Sequence, residues 1–142
     1  MEHQLLETTV TLIDDKVRFS GKSRNNPAVI MNYFPPFGDG KGYTGLEMLL
    51  LSFSGCSGTA VAALLRKMGK TVNGLTIRAN GQRQDTMPMA FRTIDIMFSI
   101  HSPDVTEEDA AKVLHLAETS MCPVWAMIRG NVEVRATFQI SG

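Results

Sequence analysis

Apolar and polar residues alternate loosely from Gln4 to Ile13, and the Leu, Thr and Val of that stretch predict a strand. Asp14-Asp15 marks a turn, so Lys16 to Ser20 returns as the second arm of a hairpin. Gly21 to Pro27 reads as a loop and Ala28 to Phe34 as a third strand. Pro35 to Gly45 holds two prolines and four glycines, too broken for regular structure, and predicts a mobile loop.

The pattern then changes. Thr44 is placed to cap a helix, and Glu47 sits three residues on, where its carboxylate completes a capping box. Apolar residues continue through Leu64, Leu65 and Met68, with Arg66 and Lys67 on the last turn and Gly69 as the stop. Cys56 falls about three turns into this helix. Val72 to Asn80 and Ala90 to His101 predict two further strands. Thr106-Glu107-Glu108-Asp109 opens a second helix, with a capping residue and three acids against the helix dipole. Its apolar stripe is Ala110, Val113, Leu114 and Ala117. A short third helix begins near Cys122, because Pro123 suits a first helical position. Asn131 to Ile140 alternates as a last strand. The predicted order is β-β-β-α-β-β-α-α-β, an α+β chain expected to form a single domain over 1-142.

Met48 to Leu65 carries no charge and approaches the length of a membrane span. Its Ser, Gly, Thr and Ala content and the soluble α/β context favour a buried core helix instead. Such a helix needs more cover than one small sheet provides. The simplest source is a second subunit, so a homodimer is expected.

Charge narrows the function. Fourteen basic residues balance fourteen acidic ones, leaving no electrostatic footprint for nucleic acid or an anionic membrane surface. Met1 to Val10 lacks the apolar core of a secretory signal, which points to a cytoplasmic chain with reduced thiols. There is no CxxC, no zinc-ligand spacing among Cys56, Cys122, His3, His101 and His115, no GxGxxG loop and no Walker A loop. His101 at a strand end and His115 in a helix read as surface residues, and Trp125 as core.

The two cysteines hold the remaining chemistry. At a helix N-terminus Cys122 is the more easily ionised, while apolar surroundings inside a helix raise the pKa of Cys56 unless a cation is near. Gly55 and Gly58 leave room beside Cys56 for another group to approach. On these grounds alone the pair reads either as two inert buried thiols or as a redox dithiol.

The stretch Leu46-Glu47-Met48-Leu49-Leu50-Leu51-Ser52-Phe53-Ser54-Gly55-Cys56 resembles the signature helix of the OsmC/Ohr family, and Cys122-Pro123-Val124 resembles its second motif. Arg83 with Pro88 and Phe91 is similar to a hairpin pattern in the OsmC-like subgroup of poorly defined function. The resemblance covers Lys16 to Ile140 and implies an OsmC-like intertwined homodimer with the long helix buried at its centre. It also implies a thiol-dependent peroxidase, with Cys56 attacking a small organic hydroperoxide and Cys122 resolving the sulfenic acid as a disulfide. A dithiol of the lipoyl type then reduces the pair, and neither metal nor bound organic cofactor is needed. This assignment reverses the ranking drawn from the helix terminus.

Peroxidase members set an arginine and a glutamate beside the reactive cysteine. Here Met31 to Leu46 contains no arginine, and Arg18 and Arg24 lie earlier; Arg24 is carried as the candidate. Glu47 lies nine positions before Cys56 rather than the usual ten, and one residue turns a side chain about 100° around a helix. Glu47 therefore stands equally as catalytic partner and as helix cap. The alternative function is a non-catalytic OsmC-like dimer that binds a small apolar ligand, or acts as a redox sensor. The apolar Pro35-Pro36-Phe37 loop and the unmatched arginine favour it.

Overall fold

The computed structural model describes residues 4–142, and its elements follow the predicted order. Strands β1 (Thr9–Leu12), β2 (Phe19–Lys22) and β3 (Val29–Met31) precede helix α1 (Gly45–Lys67). Strands β4 (Gly74–Arg83) and β5 (Phe91–His101) follow, then helix α2 (Glu107–Leu116), a π-helical turn (Ala117–Met121), helix α3 (Pro123–Ile128) and strand β6 (Glu133–Ser141). The chain divides into two compact units, one ending at Leu49 and one running from Leu50 to Gly142.

In the first unit β1, β2 and β3 form an antiparallel sheet, with Thr9 opposite Lys22 and Phe19 opposite Met31. The turn between β1 and β2 is built by Asp14, whose Oδ1 accepts the backbone N–H groups of Lys16 (2.9 Å) and Arg18 (3.0 Å). The loop after β3 departs from the expected mobile segment. Asn32 is buried there, and its Nδ2 donates to Asp39 Oδ1 (2.7 Å) and to the Lys41 carbonyl (3.3 Å). Its Oδ1 accepts from the Tyr33 N–H (2.8 Å). The backbone adds Asn32 N–H to Tyr43 O (3.0 Å) and Tyr43 N–H to Ile30 O (3.1 Å). The prolines and glycines supply the bends, and one satisfied buried amide cross-links them. The loop is irregular but pinned.

The second unit is organised on β5, whose Ile94, Ile96, Phe98 and Ile100 are buried at alternate positions while Asp95 and Met97 face out. Burying each such side chain is worth about 1.5–3 kcal/mol. β4 pairs with β5 as a hairpin. Its connection is tied by Arg83 Nε donating to the Met89 carbonyl (2.8 Å) and Gln84 N–H to Ala90 O (2.8 Å). The Phe91 ring lies where a Cβ on Gly81 would be, so the hairpin motif is a packing unit as well as a sequence pattern. β6 joins the other edge of β5 in parallel, from Thr93 opposite Glu133 to His101 opposite Ser141. A parallel pair needs a crossover, and α2, the π-turn and α3 provide it.

Helix α1 turns Phe53, Ser57, Ala60, Val61 and Leu65 inward. Gly58 lets it approach β4 closely: a Cβ there would stand 2.5 Å from Ile77 Cδ1. The helix ends as predicted at Gly69, with φ +80°. There the Gly69 N–H reaches Arg66 O and the Lys70 N–H reaches Leu65 O, both at 3.0 Å, a Schellman closure. Leu51, Gly55, Thr59 and Ala63 remain exposed, so the single chain covers one side of α1 and leaves the other open.

The start of α2 is held at both of its predicted caps. Thr106 Oγ1 accepts from the Asp109 N–H (3.1 Å), and Asp109 Oδ2 accepts from the Thr106 N–H (3.0 Å). Lys70 Nζ lies 3.1 Å from Asp109 Oδ2, and the Thr71 N–H donates to Asp104 Oδ1 at 2.9 Å. The segment after α1 is thereby fastened to the start of the crossover. These donors hold both carboxyls below their ordinary pKa, Thr71 N–H acting first on Asp104 and Thr106 N–H first on Asp109. Thr106→Ala should lower the unfolding free energy by about 1 kcal/mol in urea titration. Because both folded-state pKa values are depressed, their stabilisation is present at neutral pH and disappears as pH falls through those values. Asp104→Asn and Asp109→Asn should flatten the acid limb of the stability profile.

Candidate functional site

Cys56 stands near the middle of α1, half-buried. Its turn is tightened by Ser57, whose Oγ donates to the Phe53 carbonyl (2.7 Å), and by Thr59, whose Oγ1 donates to the Gly55 carbonyl (2.8 Å). A Cβ on Gly55 would meet nothing within 4 Å, so the helix is open on the side next to Cys56.

Cys122 is placed by the crossover. The π-turn closes with Cys122 N–H donating to the Ala117 carbonyl at 2.9 Å, one residue wider than an α-turn. The chain then turns extended at Cys122, which caps α3 by accepting the Trp125 N–H on Sγ at 3.4 Å. Cys122 is 3% exposed.

Cys56 lies near enough to act on Cys122. Burial pushes the Cys122 thiol above its ordinary pKa, the Trp125 N–H opposes that, and the neighbouring Cys56 thiol raises it further. This corrects the helix-terminus reading of Cys122 as the more acidic thiol. Its N–H donor is real, but removal from water outweighs it.

An aromatic pair packs the two cysteine-bearing segments together. Phe53 lies one turn before Cys56 on α1, and Trp125 one turn after Cys122 on α3. Their ring centroids are 5.2 Å apart at 79°, edge to face, with Phe53 fully buried and Trp125 2% exposed. Such a pair adds about 0.5–1.5 kcal/mol beyond the area it buries. Sequence reasoning missed this partnership, although the matched three-residue offsets from the two cysteines were its signal.

The other candidates have their own surroundings. The Glu47 carboxylate accepts the Thr44 N–H at 2.8 Å, and the Glu47 N–H reaches Thr44 Oγ1 at 3.2 Å, completing the capping box. Arg24 is exposed in the turn after β2, with φ 56°. Arg18 is half-buried, and its Nε is buried with no hydrogen-bond partner among the described residues. His101 and His115 are exposed. Among the described residues no group of three His, Cys, Asp or Glu is placed to hold a metal ion.

Replacing Phe53 by Leu keeps an apolar side chain and removes the edge-to-face contact, at a cost of about 1.5 kcal/mol or less. It should slow disulfide closure between Cys56 and Cys122 by about tenfold, since small losses of alignment are costly in intramolecular reactions. Thiol counting after diamide addition measures this, and an unchanged closure rate would remove the aromatic pair from the site.

The sequence model of the OsmC family of OsmC-like proteins matches residues 38–137. Protein YhfA of Escherichia coli K12 is 24% identical over 122 residues, covering 86% of this chain and 89% of that protein. An OsmC-like protein from Mycoplasma pneumoniae superposes with a TM-score of 0.85 at 18% identity, over 99% of each chain. An organic hydroperoxide resistance protein from Elizabethkingia anophelis superposes with a TM-score of 0.71 at 22% identity, over 96% of each. With both cysteine motifs inside the matched region and the fold shared end to end, the chain belongs to the OsmC family.

Proposed function

We propose that this protein is a thiol-dependent peroxidase that reduces small organic hydroperoxides through Cys56 and Cys122. The observation that carries the reading is the nearness of a half-buried thiol, Cys56, to a second, buried thiol, Cys122. The Cys56 thiolate attacks the outer peroxide oxygen, the O–O bond breaks, and the alcohol leaves with a proton. Cys122 then attacks the sulfenic sulfur, forming the disulfide and releasing water. A dithiol reductant of the lipoyl type returns the pair to two thiols. Fold likeness to hydroperoxide resistance proteins supports the same reading.

Activation of Cys56 requires a cation, supplied by this chain or by a second copy. Arg24 is the candidate drawn from the sequence, with Glu47 as its partner. Arg18 is the other early arginine, and its charge already acts on the Asp39 carboxylate. The capping bonds of Glu47 compete with a catalytic role for its carboxylate.

A homodimer belongs to the same proposal. Leu51 on α1 is 52% exposed, and Val10, Leu12 and Val29 on the first sheet are also uncovered. Apolar surface of this kind calls for a partner.

A second reading, a non-catalytic dimer binding a small apolar molecule, is favoured by one feature. Tyr33 stacks against Phe34 (5.5 Å) and Phe37 (6.0 Å) in an exposed cluster on the pinned loop.

Cumene hydroperoxide with dihydrolipoamide separates the two. Wild type should turn over catalytically, Cys56→Ser should be inactive, and Cys122→Ser should complete one oxidation but recycle poorly with the dithiol. If wild type and Cys56→Ser both run at the background rate, the apolar-ligand reading stands instead. In sedimentation at micromolar concentration the chain should run at twice its monomer mass, and a monomer would count against the dimer.

A further inference from the structure

A separate cavity of about 160 Å³ lies in front of Cys122, on the crossover. It is walled by Glu118 to Pro123 together with Ala126, and Cys122 lines it. Its wall is held in place: Thr119 Oγ1 donates to the His115 carbonyl (2.8 Å), and Arg129 donates to the Glu118 carbonyl (3.2 Å). The wide π-turn closed by Cys122 N–H and Ala117 O forms its frame. Met121 stands 52% exposed at its edge, a flexible and polarisable side chain suited to sulfur-bearing ligands. Apart from Cys122, none of these groups is used in the oxidation of Cys56.

We propose that this cavity receives the reductant, a small dithiol whose thiolate attacks the Cys122 sulfur of the Cys56–Cys122 disulfide. The inference rests on the two-cysteine reading above and adds where the reductant arrives and which sulfur it strikes. In the first step a new S–S bond forms to Cys122, the Cys56–Cys122 bond breaks, and Cys56 leaves as the thiolate that begins the next cycle. In the second step the other thiol of the reductant attacks its own sulfur in the mixed disulfide. Cys122 leaves and takes up a proton, and the reductant closes to a cyclic disulfide. Two electrons and two protons pass from the dithiol to the protein.

Leaving-group chemistry supports the direction. Attack on the Cys56 sulfur would have to expel Cys122, whose thiol burial pushes to higher pKa, and such thiols leave slowly. The second step does expel Cys122, but from within one molecule, where effective concentration offsets the poor leaving group.

The test starts from a disulfide made with diamide, so that it does not depend on peroxidase activity. A monothiol, 2-mercaptoethanol, is added with N-ethylmaleimide, the reaction is quenched in acid, and the peptides are weighed. The mercaptoethanol adduct should sit on Cys122 with the maleimide on Cys56; the reverse pattern overturns the inference while leaving the two-cysteine reading intact. If diamide forms no Cys56–Cys122 disulfide, both fall together. Ala126→Trp, at an exposed lining position, should slow reduction of the disulfide by dithiothreitol about tenfold or more. Met127→Trp, exposed outside the cavity, should reduce at the wild-type rate. Equal rates for the two variants would also overturn the proposal, and the adduct map on wild type decides the matter if Ala126→Trp does not fold.

Discussion

The edge-to-face contact of Phe53 with Trp125 is the interaction on which the rest of the site depends. A cysteine on a long helix and a cysteine at the start of a short one have no intrinsic reason to meet. A buried ring three residues from each cysteine packs the two cysteine-bearing segments against one another. The energy involved is a small part of the core. Its value lies in direction, because apolar burial alone would tolerate a slide of one helix along the other.

Glycine plays the complementary part on α1. Gly58 brings the helix down onto Ile77 of β4, and Gly55 keeps the far side bare beside Cys56. One small residue serves approach to the sheet, and the other leaves the opposite side of the helix uncovered within the single chain.

Much of this was legible in the chain. The β5 strand, the Thr106 cap, the Gly69 stop and Pro123 at the first position of α3 are local signals, and local physics decides them. The cysteine motifs were likewise readable as family features. What was not readable came from contacts distant in sequence. The pinned loop depends on the buried Asn32 amide, which a count of prolines and glycines does not reveal. The acidity of Cys122 was misjudged because a helix terminus is visible in sequence and burial is not. The π-turn has no compositional mark, and the parallel placement of β6 depends on how the crossover packs.

That parallel placement has a consequence for how the protein becomes competent. The β4–β5 hairpin needs only neighbouring residues, whereas β6 closes a long loop around α2, the π-turn and α3, a slower kind of contact to make. Cys56 precedes that loop and Cys122 lies inside it. Their contact is thus among the last long-range contacts the topology permits, and the unfinished chain carries two separated thiols. If the two thiols act as a pair, their chemistry is a property of the completed crossover, and forming the disulfide reports that this part of the fold has closed.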